Sequence, residues 1–137
     1  MAALEDFKVN VRFKLSGLWA SLTLCYLYGD YFGLFPPGAL QSMLDGRMGP
    51  LGPTTQGVLL GTSALLAVPC VMVALPLFLT PRVNRVANIV LGVIYTLVMA
   101  VSMPGAWLFY QFFGVIEIAL SLAIVWQAWK WPRREGA

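Results

Sequence analysis

Histidine is missing from all 137 residues. Its absence argues against a histidine-ligated haem and against most zinc sites. Cysteine is nearly as scarce: Cys25 and Cys70 each stand alone in an apolar segment, with no C-x-x-C pair. A thiol relay is therefore not expected, and both cysteines read as small, buried apolar residues. Charge is the third deficit. Only 11% of the residues are charged, where a soluble domain carries about 25%. The hydrophobic share is 59% and the mean hydropathy +0.77, so the chain reads as a membrane protein. The net charge of +3 does not suggest nucleic acid, because the basic residues flank apolar runs and form no patch. No metal set, nucleophile triad or phosphate loop is recognisable. A soluble-type enzyme is therefore not expected, and no cofactor is called for.

What the chain has in abundance is hydrocarbon. A bilayer core of about 30 Å needs roughly 20 apolar residues per helix. Four stretches qualify, at 15–35, 55–79, 86–103 and 106–126, within a single domain spanning 1–137. The start, MAALEDFKVNVRFK, is too polar and too long for a typical signal peptide, and no small-x-small site ends the first apolar run. The first helix therefore reads as a permanent span. The breaks carry turn chemistry: a Gly/Pro-rich loop PPGALQSMLDGRMGPLGP, then TPRVNR, then MPGA, which is too tight for anything but an antiparallel hairpin. In the first loop, Leu40, Met43 and Leu44 have helical spacing, which suits either a segment on the membrane surface or a cap on the bundle.

Eight of the nine cations fall on one side: Lys8, Arg12, Lys14, Arg82, Arg85, Lys130, Arg133 and Arg134, with Arg47 alone opposite. Under the positive-inside rule both termini are cytoplasmic. Trp126, Trp129 and Trp131 suit the inner headgroup layer. The expected fold is an all-α, integral four-helix bundle of the cell (inner) membrane, with antiparallel neighbours and both ends inside.

Helical spacing groups Tyr110, Gly114, Glu117, Ser121 and Ala128 on one face of the last helix. The opposite face, with Leu108, Phe112, Val115 and Leu122, is built for lipid. The first helix has a matching stripe of Ser16, Trp19, Thr23, Tyr26 and Asp30. The third has Asn84, Asn88, Gly92, Tyr95, Met99 and Ser102. In the second helix, Gly57 and Gly61 form a GxxxG spacing that permits close packing, within the chain or between copies in a homo-oligomer. Pro69 and Pro76 free the carbonyls of Leu65 and Met72, and Tyr95 is a candidate partner.

Glu117 is the strongest anomaly. A carboxylate in mid-membrane costs on the order of 2.5–3.5 kcal/mol on insertion scales. No Lys or Arg occupies the middle of any span, so desolvation favours the neutral acid. Three readings stay open. Glu117 is interhelical glue, with bonds worth about 0.6 kcal/mol each; or it exchanges protons or binds a cation in a small transporter; or it faces a hydrophobic ligand such as a quinone. The expected ligand-binding set is Glu117, Asp30, Tyr26, Tyr95, Asn88, Tyr110 and Ser121. Its expected occupant is a small hydrophobic or cationic molecule, and the expected surroundings are the lipid bilayer.

The stretches KVNVRFKLSGLWASL, GDYFGLFPPG, MGPLGPTTQGVLLGTS, TPRVNRVANIVLG and FFGVIEIALSLAIVWQAWKWP resemble DUF6326, a family of small four-span bacterial and archaeal membrane proteins. The resemblance covers nearly the whole chain and implies a four-helix membrane fold, with no activity and no assigned site residue. A looser likeness, in size, helix count and topology, is to DoxX-like membrane proteins, some of them subunits of quinone-reducing enzymes. That likeness implies a quinone-associated subunit. Small multidrug transporters also carry a lone membrane glutamate, but in the first helix, and the charge bias here departs from their dual-topology members.

Overall fold

The computed structural model describes residues 1–134. They form five helices: α1 Val11–Phe32, α2 Ala39–Leu44, α3 Gln56–Phe78, α4 Pro81–Ser102 and α5 Leu108–Trp129, with a short 3-10 turn at Gly49–Leu51. Among the described residues, the β contact is confined to an isolated bridge between Arg47 and Pro53.

Local chemistry sets the helix starts. Asn10 precedes α1, and its side chain accepts a 2.9 Å hydrogen bond from the Arg12 backbone N–H. This cap extends α1 outward past the apolar run, into the charged turn that holds Arg12 and Lys14. Thr55 caps α3 in the same way, accepting from the Val58 N–H at 3.1 Å. α4 starts on Pro81, whose fixed φ and missing N–H suit a first helical position. It therefore begins before Val86, where the apolar run takes over.

Three of the long helices, α3, α4 and α5, are long and apolar enough to cross a membrane. α1 has 22 residues but does not meet the same test. It spends its length on Arg12, Lys14, Asp30, Trp19 and a series of hydroxyl-bearing side chains. Of the four expected spans, length and composition thus support three among the described residues.

α1 packs against α3 and α5, and α5 packs against α4. The core follows from that order: Leu15, Trp19 and Leu22 of α1, Met72 of α3, Tyr95 of α4, and Ile124 and Ala128 of α5. α3 and α4 adjoin in sequence, yet hydrogen bonds join them more than packing does. Asn84 Nδ2 donates to Pro76 O at 2.7 Å, and the Tyr95 hydroxyl donates to Leu65 O. The second bond fills the carbonyl that Pro69 leaves without its helical donor.

Charged side chains close the helix ends near the termini. Arg12 Nη1 donates to Leu79 O at 2.8 Å and to Pro76 O at 3.4 Å. Arg85 donates to Ala128 O and Trp129 O at 3.2 and 3.4 Å, and lies over the Trp129 ring. Guanidinium groups here meet the negative, carbonyl-bearing ends of α3 and α5.

Two expectations change. Gly57 and Gly61 are both exposed, and no heavy atom of another segment crowds Gly61. Within the chain, close approaches occur instead at Gly114, against the Met103 side chain, and at Gly92. A Cβ there would lie 2.6 Å from Val125 Cγ2 and 3.2 Å from Ser121 O. The second change concerns the cysteines: Cys25 is only half-buried and Cys70 is exposed.

Gly92→Ala should push α4 from α5, because a branched side chain and a backbone carbonyl have little room to yield. The expected loss is about 1–3 kcal/mol, read as a lower melting temperature of the purified protein in detergent. An unchanged melting temperature would contradict this packing.

A buried carboxylate in a cavity between the helices

Glu117 lies near the middle of α5, on the face that carries Gly114, Ser121, Ile124 and Ala128, all buried. It is 3% exposed. Across from it on α1 is Gly29, also buried. A Cβ at Gly29 would lie 3.9 Å from Glu117 Oε1, so any longer side chain there would crowd the carboxylate. The other oxygen, Oε2, is buried and has no hydrogen-bond partner among the described residues.

The carboxylate borders a cavity of about 290 Å³ enclosed by all four long helices. α1 contributes Tyr26, Gly29 and Asp30; α3 contributes Leu65 and Leu66. α4 supplies Tyr95, Val98, Met99 and Ser102, and α5 supplies Tyr110, Phe113 and Glu117. The Tyr95 ring stands edge-on to Trp19 and packs against Tyr26, at centroid distances of 6.0 and 6.2 Å. Its hydroxyl is held by Leu65 O. The Tyr110 hydroxyl donates to Ser102 Oγ at 3.1 Å, and Ser102 Oγ donates to Met99 O at 2.9 Å. Asp30 is exposed and forms part of the rim.

The two ends of the cavity differ. At the loop end it is bordered by Pro50 and Leu51 of the 3-10 turn. This turn is shaped by Gly46, Gly49 and Gly52, all at positive φ, where a side chain is disfavoured. Two 2.8 Å backbone bonds fasten its base, Met48 N to Gly52 O and Thr54 N to Gly46 O. The loop after α1 thus covers the cavity with its 3-10 turn, while α2 buries no residue. Toward the termini, a hydrogen-bonded network of buried side chains lies beyond Glu117. Trp19 Nε1 donates to Asn88 Oδ1 at 2.7 Å, and Asn88 Nδ2 donates to Asn84 O and Oδ1 at 2.8 and 2.7 Å.

Of the seven residues expected at the site, Glu117, Asp30, Tyr26, Tyr95 and Tyr110 meet around the cavity. The other two are elsewhere. Asn88 is fully buried in the network just described. Ser121 shares a 2.7 Å hydrogen bond with Thr96 Oγ1 and donates to Ile118 O at 3.1 Å. Both serve helix contacts, Asn88 between α4 and α1 and Ser121 between α4 and α5, and neither borders the cavity. Sequence reasoning did not single out Gly29, Phe113, Pro50 and Leu51. Gly29 and Phe113 carry no polar signal, and the other two belong to a loop whose position no helical period can predict.

A smaller cleft of about 150 Å³ lies between α1 and α3, lined by Thr23, Tyr26, Leu27, Asp30, Leu66 and Cys70. Tyr26, Asp30 and Leu66 border both spaces. Thr23 Oγ1 is the second buried side-chain oxygen without a partner. Among the described residues there is no group of three or more His, Cys, Asp or Glu that could hold a metal ion.

Residues 3–137 match the family model described as the family of unknown function DUF6326. The chain belongs to this family. The match covers the whole helical region and attaches no activity to DUF6326. Neither a curated protein nor a solved structure matches the chain, so the looser likeness to DoxX-like proteins gains no support.

Asn88→Leu should leave the Trp19 N–H buried without an acceptor. The expected cost is about 1–3 kcal/mol, seen as a lower melting temperature. Gly29→Ala places only a methyl group at contact distance and should melt like the wild type. Equal melting of wild type and Asn88→Leu would remove the network from the account of stability.

Proposed function

We propose that this DUF6326 protein is a small ligand-binding, transporter-like protein of the cell membrane. In this reading all four long helices cross the bilayer as an antiparallel four-helix bundle, with both termini in the cytoplasm. α1 crosses as the least apolar span because its polar face is turned inward, with Trp19 fully buried and Ser16 bonded to Val73 O at 2.6 Å. The orientation rests on the eight cations at the end that holds the termini. The exposed Gly57–Gly61 face of α3 is where a second copy would approach, if the protein forms a homo-oligomer.

One observation carries the functional reading: a 3%-exposed carboxylate borders a cavity while one of its oxygens has no partner. Glue requires bonds across helices, and Glu117 Oε2 makes none. A buried, unpartnered charge-bearing group is costly wherever it occurs. A bound cation, proton or small polar molecule would offset that cost. The cavity is bordered by the loop on the outer side in this orientation, and the Trp19–Asn88–Asn84 network stands between it and the cytoplasm. A transport cycle would have to open that network; a one-sided binding protein would not.

Glu117→Gln removes the ionisable group without removing a helix–helix bond, so its melting temperature should equal or exceed that of the wild type. Native mass spectrometry in lipid nanodiscs should show a small molecule retained by the wild type and lost in this variant. A clearly lower melting temperature, with no retained molecule in either protein, would restore the structural reading. The topology is checked with impermeant thiol reagents on intact cells: a cysteine replacing Arg47 should be labelled, and one replacing Arg134 should not.

A further inference from the structure

The proposed site can be defined further from the hydrogen-bonding capacity left in its wall. The cavity is bordered by two carboxylates, Glu117 and Asp30, and by no Lys or Arg. Tyr95 and Tyr110 have already committed their hydroxyl protons, to Leu65 O and Ser102 Oγ. Ser102 has committed its own to Met99 O. That leaves the Tyr26 hydroxyl as the wall's uncommitted phenol, facing two ionisable groups that only accept when charged. An occupant that offers only acceptors, such as a quinone, could take the Tyr26 proton but would leave the oxygens of an ionised Glu117 unpaired. A neutral hydrocarbon would leave them unpaired as well.

The remaining wall consists of aromatic and aliphatic surface: Tyr26, Tyr95 and Phe113 beside Leu65, Leu66 and Val98. Aromatic faces attract a cation through the ring quadrupole, and more strongly where water is excluded. The volume of about 290 Å³ lies at the lower end of small-molecule pockets. We infer that the occupant is a small primary or secondary amine in its ammonium form, with its N–H groups on Glu117 and its carbon skeleton against the tyrosines. Asp30, at the exposed rim, is the group it meets first. A quaternary ammonium keeps the charge but has no N–H, so it fits the aromatic surface and leaves Glu117 Oε2 unpaired.

This inference rests on the cavity being a ligand site, and the experiment separates the two claims. Wild-type protein in nanodiscs is titrated with phenethylamine and butylamine, with the trimethylammonium analogue of phenethylamine, and with 2-phenylethanol, following tryptophan and tyrosine fluorescence and native mass. The amines should bind, and the alcohol and the quaternary compound should bind at least roughly tenfold more weakly, as expected when a site built around N–H donation is offered none. Glu117→Gln should abolish amine binding. Asp30→Asn, at an exposed position where folding is not at stake, should weaken it several-fold. If the alcohol or the quaternary compound binds as tightly as the amines and depends on Glu117, the site stands and the amine assignment is overturned. The same holds if a non-basic molecule co-purifies in a Glu117-dependent manner while the amines do not bind. If nothing binds and nothing co-purifies, both claims fall.

Discussion

Polar groups inside these helices cannot rely on water, and the rest of the structure is arranged around finding each of them a partner. Hydrocarbon offers no donors or acceptors, so a buried N–H or C=O must be satisfied by protein. The Trp19–Asn88–Asn84–Pro76 chain of bonds is the clearest case, since its side chains are fully buried. It links α1, α4 and α3 through directional contacts, where apolar packing alone would distinguish poorly between neighbours that are all greasy. Beside this rule, two exceptions among the described residues are informative. Thr23 Oγ1 and Glu117 Oε2 lack partners, and both adjoin open space between helices.

The prolines of α3 extend the same logic to the backbone. Each removes an N–H and leaves a carbonyl to be satisfied from outside the helix. Tyr95 reaches Leu65 O, which fixes the tyrosine ring against Tyr26 and Trp19. A structural defect in α3 thereby sets the orientation of an aromatic wall of the cavity. Near the other end, Pro76 O collects donors from Asn84 and Arg12, so α3 is held along its length by side chains of α1 and α4.

Much of this was legible in the sequence, because a helical period assigns residues to faces. The stripes on the third and last apolar segments match the buried residues Asn84, Asn88, Gly92, Tyr95 and Met99, and Gly114, Glu117, Ser121 and Ala128. A period cannot say which polar residues on a face will border open space and which will lie within helix contacts. That is why Asn88 and Ser121 look like Tyr95 on paper and differ from it in space. Nor does spacing identify which small residue is used: Gly57 and Gly61 fit a familiar pattern and remain exposed, while Gly92 and Gly114 take close contacts. The loop was the least legible part. Its 3-10 turn depends on three glycines at positive φ, and turn residues reveal a bend without revealing what the bend will cover.

The packing order has a bearing on how the chain is made. α4 leans chiefly on α5, which is synthesised after it, yet its asparagines bond to Pro76 O and Trp19 Nε1, which are synthesised earlier. As α4 enters the bilayer, its most polar side chains already have partners waiting, while its apolar partner does not yet exist. Assembly can thus satisfy the costly groups first and postpone close packing until Gly92 meets α5. Biogenesis would proceed from hydrogen bonds to hydrocarbon, and the space around Glu117 would be bounded only once α5 has followed.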